Sequence, residues 1–385
     1  MKYFLYVVLA IVILLSMIVI HELGHYIAGK IFKFKINEFS IGFGPTIFSR
    51  TNKKTGEKFS LRMIPLGGYC AFEDENGLDA EDRNSSEYVD PDEVFEKTKP
   101  VPVMPPCVDP LNKTAEQPAK SFVEEAPWKR IIVLLSGALF NFVSAIVFSF
   151  IFILVVGYAD PVVQTLYVND AGTAYCSELR TGDEIIAVDG VKIGIMKGYD
   201  ELLVDKTEGR TYVLTVIRDG EKVDVTVKMQ RVIATIEDKQ QDYIGLGMQI
   251  SYKNVRSGAG YALRYAVPYT GKLSLMVLQT FGGLLTGRIP LNQITGPVGT
   301  IKTVAQFGMV DWRYILLLLP LIASNLAIFN VLPIPALDGS KIVFTVIEWI
   351  RKKPINRKVE NIIHAAGMLL LFGFVIIIDI LGFVL

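Results

Sequence analysis

Four long stretches of the chain carry almost no charge, and they restrict the possible folds more than any other feature. Residues 3–20, 131–159 and 314–337 contain no charged residue, and residues 361–385 contain only His364 and Asp379. A helix needs about 20 mainly apolar residues to cross the hydrocarbon core of a bilayer. The sequence therefore predicts a polytopic α-helical membrane protein with about four transmembrane helices.

Composition and charge exclude several classes of protein. Apolar residues make up 51% of the 385 residues, which is more than one soluble domain needs. The 39 basic and 39 acidic residues balance, so no overall basic field would recruit nucleic acid. Cys70, Cys107 and Cys176 form no CxxC pair and indicate no disulfide framework. The first apolar stretch could be a signal peptide, but no A-x-A-like cleavage site follows it.

Basic residues at the ends of the apolar stretches predict the orientation in the membrane. Lys30, Lys33 and Lys35 follow the first stretch, and Lys129 and Arg130 precede the second. Six more basic residues lie between the third and the fourth. Because cytoplasmic loops are enriched in Lys and Arg, we expect these segments on the cytosolic side. Both termini and the segment between the second and third spans are then expected outside.

The segments between the spans predict three further parts. A β hairpin associated with the membrane is expected over residues 31–70, with an open edge within 41–48 or 59–64, and an acidic, proline-rich cytosolic insertion over 71–127. Alternating strands with Asp-Gly turns predict an extracytoplasmic β-rich domain, with "GYDELLVDK" as a candidate helix. The complete expected order is helix 1–30, hairpin 31–70, insertion 71–127, helix 128–160, β domain 163–252, amphipathic helix and connecting loop 256–312, helix 313–340 and helix 361–385.

The motif "HELGH" at the end of the first span carries the strongest chemical signal. It holds His21, Glu22 and His25 at membrane depth, where an ionisable residue is costly and indicates function. In the pattern H-E-x-x-H, two histidines on one helix face can bind one metal ion, with the glutamate beside them as general base. The sequence therefore predicts a metal centre at the cytosolic end of this helix.

A catalytic zinc site usually has three protein ligands, so a third ligand is expected elsewhere in the chain. The third span contains "NVLPIPALDG", where Pro333 and Pro335 cannot donate helix hydrogen bonds and must break the helix. Asp338 is then expected on non-helical chain at the depth of the histidines. His364 is a rival ligand, and an Asp-Gly turn without a metal is the alternative for Asp338.

Several motifs together resemble one family. "HELGH", "SGALFNF", "LRTGDEIIAVDGVKI", "ITGPVGTI" and "NVLPIPALDG" occur in the chain in this order. They resemble the site-2 protease family of intramembrane zinc metalloproteases, in the bacterial branch that carries a PDZ domain. The third motif alone resembles a PDZ signature. Two positions depart from the family pattern, Ala138 where proline is usual and Ser340 where a second glycine is usual.

The resemblance implies roles for individual residues. It makes His21, His25 and Asp338 ligands of Zn²⁺ and Glu22 the catalytic acid/base, and it suggests a substrate-binding role for Asn330 with Pro333 and Pro335. The implied activity is endopeptidase cleavage of transmembrane segments in single-span proteins after prior trimming.

The resemblance also suggests substrates, partners and a location. Anti-sigma factors or signal-peptide remnants would be substrates, in a multi-pass protein of the bacterial plasma membrane surrounded by lipid. The PDZ-like domain would bind a peptide or exclude bulky substrates. A catalytically silent PDZ scaffold and a membrane metal transporter are the alternative functions.

Overall fold

The computed structural model describes residues 2–73, 122–169, 171–236, 239–290 and 295–384. The greater part of the predicted acidic insertion lies outside these residues, as does Cys107. The chain divides into two compact units. The first comprises residues 1–143, 283–306 and 325–385, and the second comprises residues 144–282 and 307–324.

The described residues form eight helices and ten strands. The helices are α1 (Lys2–Ile31), α2 (Pro127–Val155), α3 (Tyr199–Leu202), α4 (Ala259–Leu285), α5 (Pro297–Val310), α6 (Arg313–Val331), α7 (Asp338–Arg351) and α8 (Arg357–Val384). The strands are β1 (Ile36–Thr51), β2 (Lys58–Phe72), β3 (Tyr158–Leu166), β4 (Glu184–Val188), β5 (Val191–Lys192), β6 (Thr211–Arg218), β7 (Glu221–Lys228), β8 (Gln230–Ile236), β9 (Lys239–Gly245) and β10 (Met248–Val255).

Helices α1, α2, α6 and α8 are long and apolar enough to cross a membrane, which confirms the predicted number of spans. Their ends differ from the prediction. Helix α2 ends at Val155 because Gly157 adopts φ +81°, a left-handed conformation that terminates helices, and β3 occupies residues predicted as helical. Helix α8 starts at Arg357, before the charge-free window, because the Asn356 side chain accepts the N–H of Lys358.

The predicted hairpin is a more complex sheet. Its turn is closed by a hydrogen bond from Gly56 N–H to the Asn52 carbonyl, as the sequence indicates. Residues 38–41 of β1, however, pair with residues 68–71 on one side and with residues 58–61 on the other. Residues 58–61 in turn pair with residues 48–51. The expectation of an open edge at residues 59–64 is therefore wrong for Phe59–Leu61, which lie inside the sheet.

The β-rich domain of the second unit is an antiparallel sheet in the order β10-β3-β4-β6-β7, with β5 paired to β4. Its core contains the fully buried side chains of Ile185, Leu214 and Val216. The sheet begins at Tyr158 and ends at Val255, so it extends beyond the predicted residues 163–252. The candidate helix is a single turn, because only Tyr199–Leu202 is helical.

Helix α4 also belongs mainly to the second unit. It buries one face, including Ala262, Tyr269 and Leu273, in a cluster with Phe152 of α2 and Leu321 of α6. Leucines on its other faces, Leu263 and Leu285 among them, remain exposed. The predicted connecting loop after this helix contains the 14-residue helix α5.

The third span breaks where the prolines predict. Helix α6 ends at Val331, and after six intervening residues α7 begins at Asp338 itself. The expectation that Asp338 lies on non-helical chain is therefore wrong, since this residue opens a helix of 14 residues. The segment expected as a loop between the third and fourth spans is largely this helix. An acidic residue in the first helical turn interacts favourably with the helix dipole, which gives Asp338 a local reason to start α7.

Buried ion pairs fix α7 against its neighbours. Glu348 of α7 accepts hydrogen bonds from Arg130 of α2 at 2.8 Å and from the N–H of Ile355 at 3.0 Å. Arg357 of α8 lies 3.0 Å from the same carboxylate. Burial raises the pKa of Glu348, but the Ile355 N–H and the two guanidinium groups outweigh it and lower the pKa overall. Helix α7, which begins with Asp338, is thus tied to two membrane helices.

Candidate metal centre

Three side chains predicted as metal ligands meet in the first unit. The Nε2 atom of His21 lies 2.9 Å from Oδ2 of Asp338, and Nε2 of His25 lies 3.2 Å from the same oxygen. The two Nε2 atoms are 3.2 Å apart. Among the residues that the structure describes, these three form the group whose potential ligand atoms all lie within 4.8 Å of one another.

The distances and donor types fit a zinc ion. Four tetrahedral ligands at 2.0–2.2 Å from zinc lie about 3.3 to 3.6 Å from each other, slightly more than the 2.9 to 3.2 Å edges of the observed triangle. Two imidazole nitrogens and a carboxylate oxygen are common ligands of catalytic zinc. Two imidazole nitrogens and a carboxylate converge here on one point, an arrangement that a shared cation would stabilise.

Helix α2 holds the ring of His25. The Nδ1 atom of His25 lies 2.8 Å from the carbonyl oxygen of Val133, so this nitrogen carries the proton and donates it. In the neutral ring with its proton on Nδ1, the lone pair of Nε2, which lies 3.2 Å from Oδ2 of Asp338, is available to a metal ion. Metal-binding histidines usually donate their second nitrogen in this way, which fixes the tautomer and the ring orientation.

Two asparagines flank Nδ1 of His21. The amide nitrogens of Asn141 and Asn330 each lie 3.4 Å from it. The amide oxygen of Asn141 is buried and has no hydrogen-bond partner. Rotating this amide by 180° places the oxygen beside Nδ1, where it accepts the imidazole proton and leaves Nε2 unprotonated. In this orientation the amide oxygen of Asn141 gains a hydrogen-bond partner, and His21 has the tautomer protonated on Nδ1 that zinc binding through Nε2 requires.

Glycines allow α1 and α2 to approach closely at the site. A Cβ atom on Gly137 would lie 2.4 Å from Nε2 of His25 and 2.7 Å from Cε1 of His21. A Cβ atom on Gly24 would lie 2.4 Å from the carbonyl oxygen of Ser136. Real Cβ atoms do not approach other heavy atoms to these distances, so both positions require glycine.

Glu22 lies beside the sheet. Its side chain is buried, and its Cγ atom would be 3.0 Å from a Cβ atom placed on Gly68 of β2. The glycine thus brings the backbone of residues 67–68 directly against the glutamate that follows His21.

Of the remaining predicted residues, Asn330 lies at the site and the two prolines and His364 lie outside the ligand group. Pro333 and Pro335 occupy the break between α6 and α7, and Pro335 packs against Gly367 of α8. Asn330 contacts His21 rather than open space. His364 is not part of the ligand group, because its Nδ1 atom faces the N–H of Ala336 at 3.3 Å.

The sequence reasoning missed the contributions of Val133 and Gly137. The backbone carbonyl of Val133 leaves no trace in the identity of its side chain. Gly137 could have been recognised, because a glycine in the apolar "SGALFNF" helix lowers helix propensity and suggests close packing.

Comparison with known proteins identifies the family of the chain. A model of peptidase family M50 matches residues 9–374. A protein of Fusobacterium nucleatum named "Putative zinc metalloprotease FN1322" is 28% identical over 373 residues, covering 97% of this chain and 96% of the relative. The "Zinc metalloprotease RasP" of Geobacillus kaustophilus is 25% identical over 414 residues, covering 96% and 95%.

The match extends over both units, and its range includes His21, Glu22, His25 and Asp338. The family match and the four apolar helices together show that the protein is a membrane metalloprotease whose cofactor is zinc. The chain belongs to peptidase family M50, the site-2 protease family.

Proposed function

We propose that the protein is an endopeptidase of the HExxH type that cleaves transmembrane segments of single-span proteins within the membrane. His21, His25 and Asp338 would hold the zinc ion, and Glu22 would act as general base and acid. The observation that carries this proposal is the triangle of two Nε2 atoms and one Oδ2 atom, with edges of 2.9 to 3.2 Å, next to the glutamate.

Each residue has a distinct part in the proposed hydrolysis. Bound zinc supplies Lewis acidity, which polarises the scissile carbonyl and eases deprotonation of water near neutral pH. Glu22 takes the proton of the attacking water and returns it to the nitrogen of the leaving amine. The carbonyl of Val133 would keep the proton of His25 on Nδ1, and Asn141, with its amide oxygen turned toward the ring, would do the same for His21, so that both Nε2 atoms stay available for the metal.

The sheet would hold the substrate in an extended form. A helical substrate buries each carbonyl in its own hydrogen bonds and must unwind before attack. Residues 68–71 pair with β1 on one side, and no other described strand pairs with them. Addition of the substrate as a strand along this edge would replace the lost helix hydrogen bonds and bring its backbone past Glu22.

The outer domain would select substrates. The basic flanks at Lys30, Lys33 and Lys35 favour a cytosolic position for the metal centre and an extracytoplasmic position for the β-rich domain. A domain on that side can bind a peptide end or exclude bulky proteins. Substrates would therefore be stubs that another protease has already trimmed, such as anti-sigma factors or signal-peptide remnants in a bacterial plasma membrane.

Exchange of Glu22 for glutamine tests the proposal. Glu22→Gln protein should bind zinc like the wild type and fail to cleave a single-span substrate in reconstituted vesicles. Glu221→Gln serves as the matched control, because Glu221 is exposed at the start of β7. A metal transporter would instead carry zinc across the vesicle membrane. A silent scaffold would show no cleavage by the wild type, and either of these results would refute the proposal.

A further inference from the structure

The turn that connects α6 to α7 has an unusual backbone. Ala336 adopts φ +81°, a left-handed conformation that residues with a Cβ atom rarely adopt. Such a conformation persists only where the surrounding structure holds it. Ala336 precedes Asp338 by two residues, so whatever holds this turn also determines where α7 starts.

His364 of α8 contacts the turn directly. Its Nδ1 atom accepts the N–H of Ala336 at 3.3 Å. The other side of the ring faces Phe344 of α7, with ring centroids 5.7 Å apart in an edge-to-face arrangement. The imidazole therefore touches both the turn and the helix that the turn starts.

Gly367 supports the same turn from one helical turn further along α8. A Cβ atom on Gly367 would lie 2.2 Å from Cβ of Pro335 and 3.0 Å from its carbonyl oxygen. His364 and Gly367 are three residues apart and lie on one helix face. Together they form a cradle for Pro335 and Ala336, and this cradle is the contact between α8 and the turn.

Tight packing transmits the position of the turn to Asp338. A Cβ atom on Gly339 would lie 2.1 Å from the carbonyl oxygen of Leu332 and 2.3 Å from that of Val331. The first turn of α7 therefore packs directly on the end of α6. Movement of Ala336 cannot be absorbed there and must displace the start of α7.

We propose that His364 is a positioning residue of the metal centre. It holds Ala336 in the left-handed conformation and so directs the carboxylate of Asp338 toward His21 and His25. The inference rests on the proposed role of Asp338 as a zinc ligand. It gives the third histidine of the chain a function without making it a ligand.

Zinc affinity of two His364 variants tests this role. His364→Leu removes the acceptor and keeps an apolar body of similar size, whereas the side-chain oxygen of His364→Asn can accept the same N–H. Loss of a supporting contact typically weakens metal binding about 10-fold to 100-fold. We expect the leucine variant to lose at least about 10-fold and the asparagine variant to stay close to the wild type. The zinc affinity of each purified variant in detergent is measured by competition with a chelator.

A second substitution separates positioning from general stability. Ala336→Gly removes the strain of the left-handed conformation, so the double variant Ala336→Gly with His364→Leu should recover much of the lost affinity. Gly367→Ala should weaken zinc binding, whereas Gly373→Ala in the same helix should not, because no atom lies within 4 Å of a Cβ atom there.

The outcomes distinguish this inference from the proposed function. If Asp338→Ala binds zinc normally, the ligand assignment fails and the inference with it. If Asp338→Ala loses zinc but His364→Leu and Gly367→Ala bind it like the wild type, the positioning role alone is overturned. Failure of Ala336→Gly to restore any affinity to His364→Leu would also overturn it.

Discussion

Replacement of Gly137 by alanine should weaken zinc binding without unfolding the protein. The added methyl carbon would lie 2.4 Å from Nε2 of His25, whereas ordinary contacts begin at 3.4 Å. The helices or the imidazole must therefore separate by about 1 Å. Metal–ligand distances tolerate changes of only about 0.2 Å, so one ligand is expected to leave its position.

The size of the effect follows from the packing. Insertion of a methyl group into a filled core typically costs about 1 to 3 kcal/mol. Since about 1.4 kcal/mol corresponds to a factor of ten, zinc affinity should fall about 5-fold to 150-fold if the strain is relieved at His25. Alanine is a better helix former than glycine, so α2 itself should not lose helical structure.

A chelator titration of purified protein, together with thermal unfolding of the zinc-free form, measures the effect. Gly373→Ala in α8 is the matched control, because its new methyl group meets no atom within 4 Å beyond its own chain neighbours and the adjacent backbone of its helix. Unchanged zinc affinity in Gly137→Ala, equal to that of the control, would refute the argument that α2 and the histidines are in direct contact.

Four further results are expected. Asp338→Ala should lower zinc content much more than His364→Ala, and equal losses by elemental analysis would contradict the ligand assignment. Some proline substitutions along residues 46–51 or 68–71, the outer segments of the sheet, should abolish cleavage while the zinc content stays normal. If every inactive variant also loses zinc, the sheet is only structural. Deletion of residues 163–252 should allow untrimmed substrates to be cut, and continued restriction to trimmed ones would argue against a selective outer domain. Burial and, to a smaller extent, the negative charge of Glu184 raise the pKa of Asp160 from its ordinary 3.8 to about 6. Because the folded state then binds this proton more tightly than the unfolded state, the free energy of unfolding falls as pH rises from about 4 to about 6. Asp160→Asn should therefore slow hydrogen exchange in β3 at pH 7 relative to the wild type, and this advantage should disappear near pH 4. An equal difference from the wild type at both pH values would contradict the raised pKa of Asp160.

The spans and the metal motif could be predicted because their signals are local. A charge-free window of 20 residues identifies a membrane helix almost alone, and two histidines four residues apart share a helix face in any α-helix. Pro333 lacks the N–H that a continuing helix would need, and α6 ends two residues before it, at Val331. These features depend on the residues themselves, so the sequence contains them.

Other features depend on contacts between distant parts of the chain. The double pairing of residues 38–41 follows from how the strands fold back, and no alternation pattern encodes it. Asp338 was expected on non-helical chain because two prolines precede it, although the partners of Glu348 stabilise a helix there. The support of His25 by a backbone carbonyl is independent of side-chain identity.

The wide separation of the ligands has a consequence for biosynthesis. His25 and Asp338 are 313 residues apart in the chain. At about 5 to 20 residues per second, a ribosome needs about 15 to 60 s to proceed from one to the other. During this interval the histidines lie in the first membrane helix without their third ligand. Under the proposed ligand assignment, a chain that has not yet reached Asp338 holds no complete zinc site, and proteolytic capacity arises only after that residue has been synthesised.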